Sequence, residues 1–475
     1  MKIFFSIALV SLVVLSLTRG GQPPASPATA GGNSQDLLPA DARAAVDKAA
    51  LKILRSTGAP SASIAVVKDG QLIYTQAYGI ANIQRRKAAT TNMRYSIGSI
   101  SKQFTAAAIL LLAEDGKLSL DDKVGRWLPE ITRANEVSLR QLLSMTAGYQ
   151  DYWPQDYVMP SMMQPAAIDA ILTGWAGKPL DFEPGTKWQY SNTNYVIAGI
   201  IAERAAEMPL IDFLQKRIFT PLKIESVFNT DQAPLGPDEP MRYQRFALGP
   251  PRPAPKEGKG WMFAAGELAM TATDLAAWDI SVINQTILKP ASYREMETDV
   301  RLANGAASLY GLGVGLKIAD GRRQIAHGGE VSGFTATNAI YPDDRVAVVV
   351  LTNLDATSAS KDLTNKIADI VFTPPGSRAS VDQAKKIWAG LQRGKIDRSL
   401  FTSNANAYFS KEVLRDLAGS LGPLGKSIDF SQISEGQRGG MTFHKYNARF
   451  AAKTFSVTTC VTPEGKFEQY IVSAD

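Results

Sequence analysis

Ser99-Ile-Ser-Lys102, followed closely by Phe104-Thr-Ala-Ala-Ala-Ile-Leu-Leu-Leu-Ala113, is the stretch from which the fold is read. The second segment is apolar all round, as expected of a helix buried at the centre of a domain. Gly116 stops it, and Gly98 supplies a permissive turn just before the serine. On such a helix residues three apart share a face, which sets Lys102 beside the Ser99 hydroxyl. The helix N-terminus favours an anion, helping a serine alkoxide and the deprotonated form of a desolvated lysine. A serine needs a base to become a nucleophile, and here a lysine is within reach.

Ser-x-x-Lys alone carries little weight, since about one or two chance matches are expected in a chain of this length. A second copy, Ser358-Ala-Ser-Lys361, serves as an internal control. It opens a polar, amphipathic stretch ending at Val371, and its serine reads as an ordinary N-cap. Two further motifs separate the copies. Tyr190-Ser-Asn192 is the one Tyr-x-Asn in the chain and lies in a loop feeding a helix from Tyr195 to Glu203. Read alone, it is a packed tyrosine with Asn192 capping that helix. Beside a lysine, the phenol ionises more easily and becomes a candidate base. His327-Gly-Gly329 falls at the end of a short strand, Gln324–His327, before another, Phe334–Tyr341, and its glycines allow backbone to approach a ligand. This is the chemistry of S-x-x-K serine acyl-enzymes, not of a Ser-His-Asp triad.

In this order and spacing the three motifs resemble the β-lactamase-related serine hydrolases. That superfamily includes class C β-lactamases, D,D-carboxypeptidases, D-aminopeptidases and family VIII-type esterases. Leu142-Leu-Ser-Met-Thr-Ala-Gly148 resembles its L-L-T-H-T-S-G segment, and Phe263–Ala276 resembles its G-G-L-x-S-T-A-x-D-L segment. Tyr310-Gly-Leu-Gly313 and Gly328–Phe334 match as well, and the resemblance spans roughly residues 40–375. It implies Ser99 as nucleophile, with Lys102 and Tyr190 sharing the proton. It also implies an oxyanion hole from the backbone N–H groups of Ser99 and Glu330, at the Gly329–Glu330 turn of the third motif. Asn192 is expected to bond the substrate amide or polarise Lys102. Tyrosine and lysine ordinarily titrate at about 10 and 10.4, so both are expected to be depressed by proximity and burial.

Substrate choice turns on one departure. β-Lactamases and D,D-peptidases carry Lys-Thr-Gly or Lys-Ser-Gly at the third motif, where cation and hydroxyl hold a carboxylate. Here His327 replaces the lysine and Gly328 removes the hydroxyl. A histidine with a pKa of about 6.5 is mostly neutral at pH 7. Esterase or amidase activity on small ester, amide or peptide substrates, D-amino-acid or cell-wall derived among them, is therefore expected, with β-lactamase activity weak at best. The alternatives are a penicillin-binding or wall-interacting protein that acylates without efficient turnover, and a β-lactamase proper. Tyr149, Tyr152, Trp153 and Tyr157, followed by Met159, Met162 and Met163, read either as a packed loop or as an apolar lip on the pocket.

Composition bounds the rest. The 475 residues are 45% hydrophobic, enough for a large core and two domains. A net charge of +6 without a dense basic cluster does not imply nucleic acid. Two histidines, His327 and His444, cannot assemble a His-rich zinc site, and no cofactor is expected. His444 reads as an ordinary packed or surface residue. A single cysteine, Cys460, precludes an internal disulfide and reads as a buried strand residue.

Lys2 is followed by the mostly apolar 15-residue run Ile3–Leu17, too short for a comfortable membrane span. With the Gly/Pro/Ala-rich segment after it, it reads as a secretory signal peptide over residues 1–30. Ala28-Thr-Ala30 fits a cleavage site, as does a cut near Gly20, and an uncleaved anchor is the alternative. Export to the periplasm or beyond follows, with no stable span after cleavage. Oligomeric state is left open.

A helix over Ala40–Leu54, a hairpin of Ser61–Lys68 and Gln71–Tyr78 about Asp69-Gly70, and strands near Gly311–Ile318, Gln324–His327, Phe334–Tyr341 and Arg345–Asn353 flank a mostly helical middle. A helix at 360–371 closes the region. This predicts an α+β catalytic domain over 31–372: an antiparallel sheet built from both chain ends, packed by helices, with the site between sheet and helical region. The resemblance implies the same architecture. Residues 373–379 read as a linker. Residues 380–475 read as a small α+β accessory domain, similar in outline to nuclear-transport-factor folds. Its expected elements are helices over Val381–Gly394 and Asn404–Leu421, then strands near Met441–Phe450, Thr454–Val461 and Lys466–Val472.

Overall fold

The computed structural model describes residues 37–155, 157–373, 377–451 and 453–474, without the side chains of 377–379. The apolar segment Ile3–Leu17 and both cleavage sites considered for it lie outside the described residues. Among the described residues no helix is long and apolar enough to cross a membrane.

Seven described strands form one antiparallel sheet: β1 (Ser61–Lys68), β2 (Gln71–Asn82), β3 (Lys87–Ala88), β4 (Gly315–Ala319), β5 (Arg322–Val331), β6 (Phe334–Tyr341) and β7 (Val346–Thr352). Their order, β3-β2-β1-β7-β6-β5-β4, joins the two ends of the region where β1 meets β7, with Ala62 opposite Thr352. The β1–β2 turn runs through Asp69 and Gly70, both at positive φ, which suits the right-handed twist of a two-residue hairpin.

β1 and β7 are apolar on both faces because both faces are covered. Ile64, Val66, Val348 and Val350 point to an outer core with α1 (Ala40–Thr57) and α5 (Ala359–Phe372). Ala65, Val67, Val349 and Leu351 point to the inner core, with α2 (Ser101–Glu114), α3 (Asn192–Ala206) and α4 (Ala272–Asn284). A one-residue slip would exchange the two sets, so the register is firmly specified. Helix α2 is buried from Ser101 through Leu112, as its all-round apolar sequence predicts.

Several boundaries differ from the sequence reading. The third motif lies inside β5, which continues to Val331 before turning at Gly333. β4 starts only at Gly315, because Gly311–Val314 form a turn in which Gly313, at φ +77, lies against the Lys102 carbonyl. Ser358 occupies the N-cap of α5, yet its hydroxyl bonds the Asp362 carboxylate at 2.7 Å and caps no backbone N–H. Residues 377–474 comprise α6 (Ser377–Leu391), α7 (Ser403–Tyr408), α8 (Lys411–Leu421) and a meander of β8 (Asp429–Arg438), β9 (Met441–Arg449), β10 (Thr454–Val461) and β11 (Phe467–Ala474). Around Trp388, Phe430, Tyr446 and Val457 these elements form a core of their own. The helix expected over Asn404–Leu421 is broken where Ser410 caps α8. β8 escaped the sequence reading because it is mostly exposed and polar. Cys460 and His444 are buried strand residues.

A buried polar chain fixes α2 against the sheet. Trp278 Nε1 donates to Gln103 Oε1 (2.9 Å), Gln103 Nε2 donates to Asn338 Oδ1 (3.0 Å), and Asn338 Nδ2 donates to Asp279. Burial pushes the Asp279 carboxyl up to about 8. A proton the folded state keeps and the unfolded state releases makes this contribution full in acid and lost as pH rises towards 8. The melting temperature of wild type is expected to fall more between pH 5 and pH 9 than that of Asp279→Asn, with the variant melting higher at pH 9. Parallel melting curves across that range would remove Asp279 from the account.

Candidate active site

The turn that holds Ser99 and the third motif meet backbone to backbone. Ser99 sits in a 3-10 turn, Gly98–Ile100, directly before α2. Gly98 adopts φ +51, and a Cβ there would lie 2.8 Å from the Glu330 nitrogen. A Cβ on Gly329 would lie 1.9 Å from the Ile97 carbonyl oxygen. Only glycine permits this approach, and it brings the main chains of Ser99 and Glu330 to the same end of the cleft.

Lys102, the second residue of α2 and three residues on from Ser99, is fully buried. Its Nζ lies 2.9 Å from Ser99 Oγ, 2.7 Å from Asn192 Oδ1 and 2.7 Å from the Ala265 carbonyl. Three partners match the three hydrogens of an ammonium. Burial nevertheless brings Lys102 down to about 7, opposed by the negative charge of Asp151. Tyr190 donates to Ser99 Oγ at 2.8 Å, so the serine oxygen is bracketed by amine and phenol. Here the sequence expectation of a depressed phenol fails. Burial pushes Tyr190 well up, and it stands as a protonated donor.

Asn192 is the first residue of α3, not its cap, which is Ser191. Its backbone N–H and its Nδ2 reach Asp151 Oδ1 (3.0 Å) and Oδ2 (3.3 Å), leaving Oδ1 to Lys102. His327 is buried, 2.9 Å from the Tyr310 hydroxyl through Nε2 and 2.5 Å from the Gly328 carbonyl through Nδ1. The carbonyl can only accept, so Nδ1 carries the proton and Nε2 accepts from Tyr310. Burial and the nearby Lys102 bring His327 down to about 4. It is therefore neutral, with both nitrogens engaged inside the protein. The Glu330 carboxylate accepts from the Ala356 N–H at 2.7 Å.

A cleft of about 1130 Å³ holds Ser99, Tyr190, Asn192, His327, Gly329 and Glu330 in its walls, between sheet and helical region. The aromatic loop divides. Tyr149 and Tyr152 are buried, bonding the carbonyls of Thr132 and Trp261, and Met162 is buried too. Trp153 and Tyr157 line the cleft, joined across it by Phe246 and Met262. Sequence reasoning assigned no role to Asp151, the Ala265 carbonyl or Tyr310. The one available signal for Asp151 was a carboxylate in an aromatic-rich loop, and Asp156 of the same loop shares it.

The site is thus a serine flanked by a neutralisable lysine and a protonated tyrosine, on an α+β fold of the S-x-x-K type. The family profile described as Beta-lactamase matches residues 43–371, and the chain belongs to that family. It is 28% identical over 340 residues to a D-aminopeptidase of Brucella anthropi, covering 70% of this chain and 63% of that protein. The chain therefore spans less than two thirds of that relative. It is 27% identical over 371 residues to penicillin-binding protein 4* of Bacillus subtilis, covering 74% and 79%. The fold is also that of the octameric penicillin-binding protein homologue from Pyrococcus abyssi, with a TM-score of 0.61 at 20% identity, over 91% of this chain and 96% of that one.

The two glycines of the third motif should respond differently. Gly329→Ala forces a methyl group into the Ile97 carbonyl and is expected to slow acylation on the order of 100-fold, the usual consequence of misplacing reacting groups. Gly328→Ala meets nothing nearer than 3.9 Å and should stay close to wild type. Rates of active-site labelling for the two variants decide it; equal rates would mean the close approach does not set the geometry.

Proposed function

We propose that this chain is an exported serine hydrolase that forms an acyl-enzyme on Ser99 and cleaves amides and esters of small acyl donors, D-amino-acid amides and short peptides foremost. The observation that carries the reading is Ser99 Oγ held 2.9 Å from Lys102 Nζ and 2.8 Å from Tyr190 Oη. Export rests on the apolar Ile3–Leu17 segment, and the unit from residue 380 onward is read as an accessory domain. The likeness to a D-aminopeptidase supports the amide substrates.

With a pKa near 7, about half of Lys102 is neutral at neutral pH. In that form two N–H bonds go to Asn192 Oδ1 and Ala265 O, and the lone pair faces Ser99. Lys102 takes the hydroxyl proton as Ser99 Oγ bonds the substrate carbonyl carbon. The backbone N–H groups of Ser99 and Glu330 receive the resulting oxyanion. Tyr190 gives its proton to the departing nitrogen or oxygen as the bond to the carbonyl carbon breaks, and regains one from the Lys102 ammonium. Water then attacks the ester carbonyl carbon, losing a proton to the same pair; the bond from that carbon to Ser99 Oγ breaks, and the pair returns the proton to the serine oxygen.

A neutral His327 with no free nitrogen offers no cation for a substrate carboxylate, and Gly328 offers no hydroxyl. This disfavours substrates that must be anchored through a carboxylate, penicillins among them, and Trp153, Tyr157 and Phe246 supply an aromatic wall for substrate side chains.

Ser99→Ala should abolish covalent labelling by a fluorophosphonate, while Ser358→Ala leaves it intact; equal labelling of both would sink the nucleophile assignment. Acylation should rise with pH through about 7 as Lys102 loses its proton. Turnover of nitrocefin should fall well below that of short-chain nitrophenyl esters and D-amino-acid amides. The reverse ranking would favour a β-lactamase, and one acylation per chain without turnover a penicillin-binding role.

A further inference from the structure

Asp151 belongs to none of the three motifs, yet it is wired to one of them. Its Oδ1 accepts from the Asn192 backbone N–H (3.0 Å) and the Trp153 N–H (3.1 Å), and its Oδ2 from Asn192 Nδ2 (3.3 Å). An amide side chain is nearly symmetric in shape, and its neighbours decide which end faces which way. A carboxylate accepts only, so Asp151 claims the Nδ2 end and turns Oδ1 towards Lys102. We infer that Asp151 is a positioning residue that fixes the Asn192 amide so that the lone pair of Lys102 is left for Ser99.

The inference rests on Lys102 serving as the base for Ser99. Lys102 has three directions to fill: Ser99, Asn192 and the Ala265 carbonyl. If Asn192 presented Nδ2 instead, its N–H would capture the lone pair and the amine would face Ser99 with a hydrogen. The base would be present and misdirected.

The charge of Asp151 acts in the same direction. The other groups near Lys102 are the rings of Tyr190 (5.0 Å) and Tyr195 (5.5 Å) and the imidazole of His327. Burial keeps both phenols protonated and His327 neutral. The carboxylate of Asp151 is thus the charge that holds the amine up against its desolvation. Burial pushes Asp151 itself up, against the hydrogen bonds from Trp153 and Asn192 that stabilise its anion.

The test is the pH dependence of Ser99 acylation by a nitrophenyl ester in wild type, Asp151→Asn and Asp151→Glu, from pH 5 to 9. Asp151→Asn is expected to move the acid limb down by about half a pH unit or more and to lower the plateau roughly tenfold. Asp151→Glu, which keeps the charge, should return the limb towards wild type. Asp151→Ser, also uncharged, carries the same comparison if Asp151→Asn does not fold. A limb unmoved in the uncharged variant overturns the inference, and a rise in KM confined to substrates with a free amine would make Asp151 a substrate contact instead. Failure of wild type to label at Ser99, or a limb absent from wild type, overturns the Ser99–Lys102 reading itself and is seen before any variant is compared.

Discussion

Burying a lysine amine is the constraint around which this molecule is organised. In water Lys102 would titrate near 10.5, and only on the order of one molecule in a thousand would be neutral at pH 7. Enclosed by α2, α3 and the loop through Ala265, it titrates at about 7. That change makes a neutral amine available at neutral pH, which is what the proposed mechanism needs of its base. It also imposes debts, since each buried N–H left without a partner costs roughly 1–3 kcal/mol. The Ala265 carbonyl and Asn192 Oδ1 meet those debts. The segments that carry them, 263–267 and the first turn of α3, are therefore tied to the helix that carries Lys102 and directly follows Ser99.

The same burial acts oppositely on the phenols and the imidazole. It keeps Tyr190 protonated and His327 neutral, because in each case the charged form loses its hydration. The roles proposed for Lys102 and Tyr190 around Ser99 follow from sign alone: the lysine can accept a proton at neutral pH, and the tyrosine can donate one. His327 is drawn into an internal bridge between Tyr310 and the Gly328 carbonyl. It shapes the third motif without giving it a charge.

Much of this was legible in the sequence. The apolar helix after Ser99, the hairpin at Asp69-Gly70 and the strand Phe334–Tyr341 follow from periodicity and turn chemistry, which are local. The pairing of Ser99 with Lys102 follows from helical spacing. What escaped depends on distant contacts. The Tyr190 pKa is set by a burial that no motif encodes, and β8 pairs as a strand despite its polar face. Asp151 acquires its place only once a loop some forty residues from Asn192 folds against it. The third motif was taken for a strand end because its glycines resemble a turn. Inside β5 they serve instead to let the strand touch the nucleophile turn.

That contact divides the labour within the cleft. The groups assigned to the chemistry are held by α2, by the start of α3 and by main-chain approach at Gly98 and Gly329, all in or against the inner core. They have little room to vary, since a single methyl group at Gly329 collides with the nucleophile turn. The residues that would meet a substrate's side chain, Trp153, Tyr157 and Phe246, come from segments outside helices α2 and α3 and outside the large sheet. Tyr157 and Phe246 are largely exposed, and changing them disturbs little of the packing. Reaction type is therefore tied to the core and substrate preference to the loops, an arrangement that lets one scaffold serve several acyl donors. Asp151 stands at the junction: it sits in the aromatic loop yet bonds the first residue of α3, so a loop that changed to fit a new substrate would also act on the base.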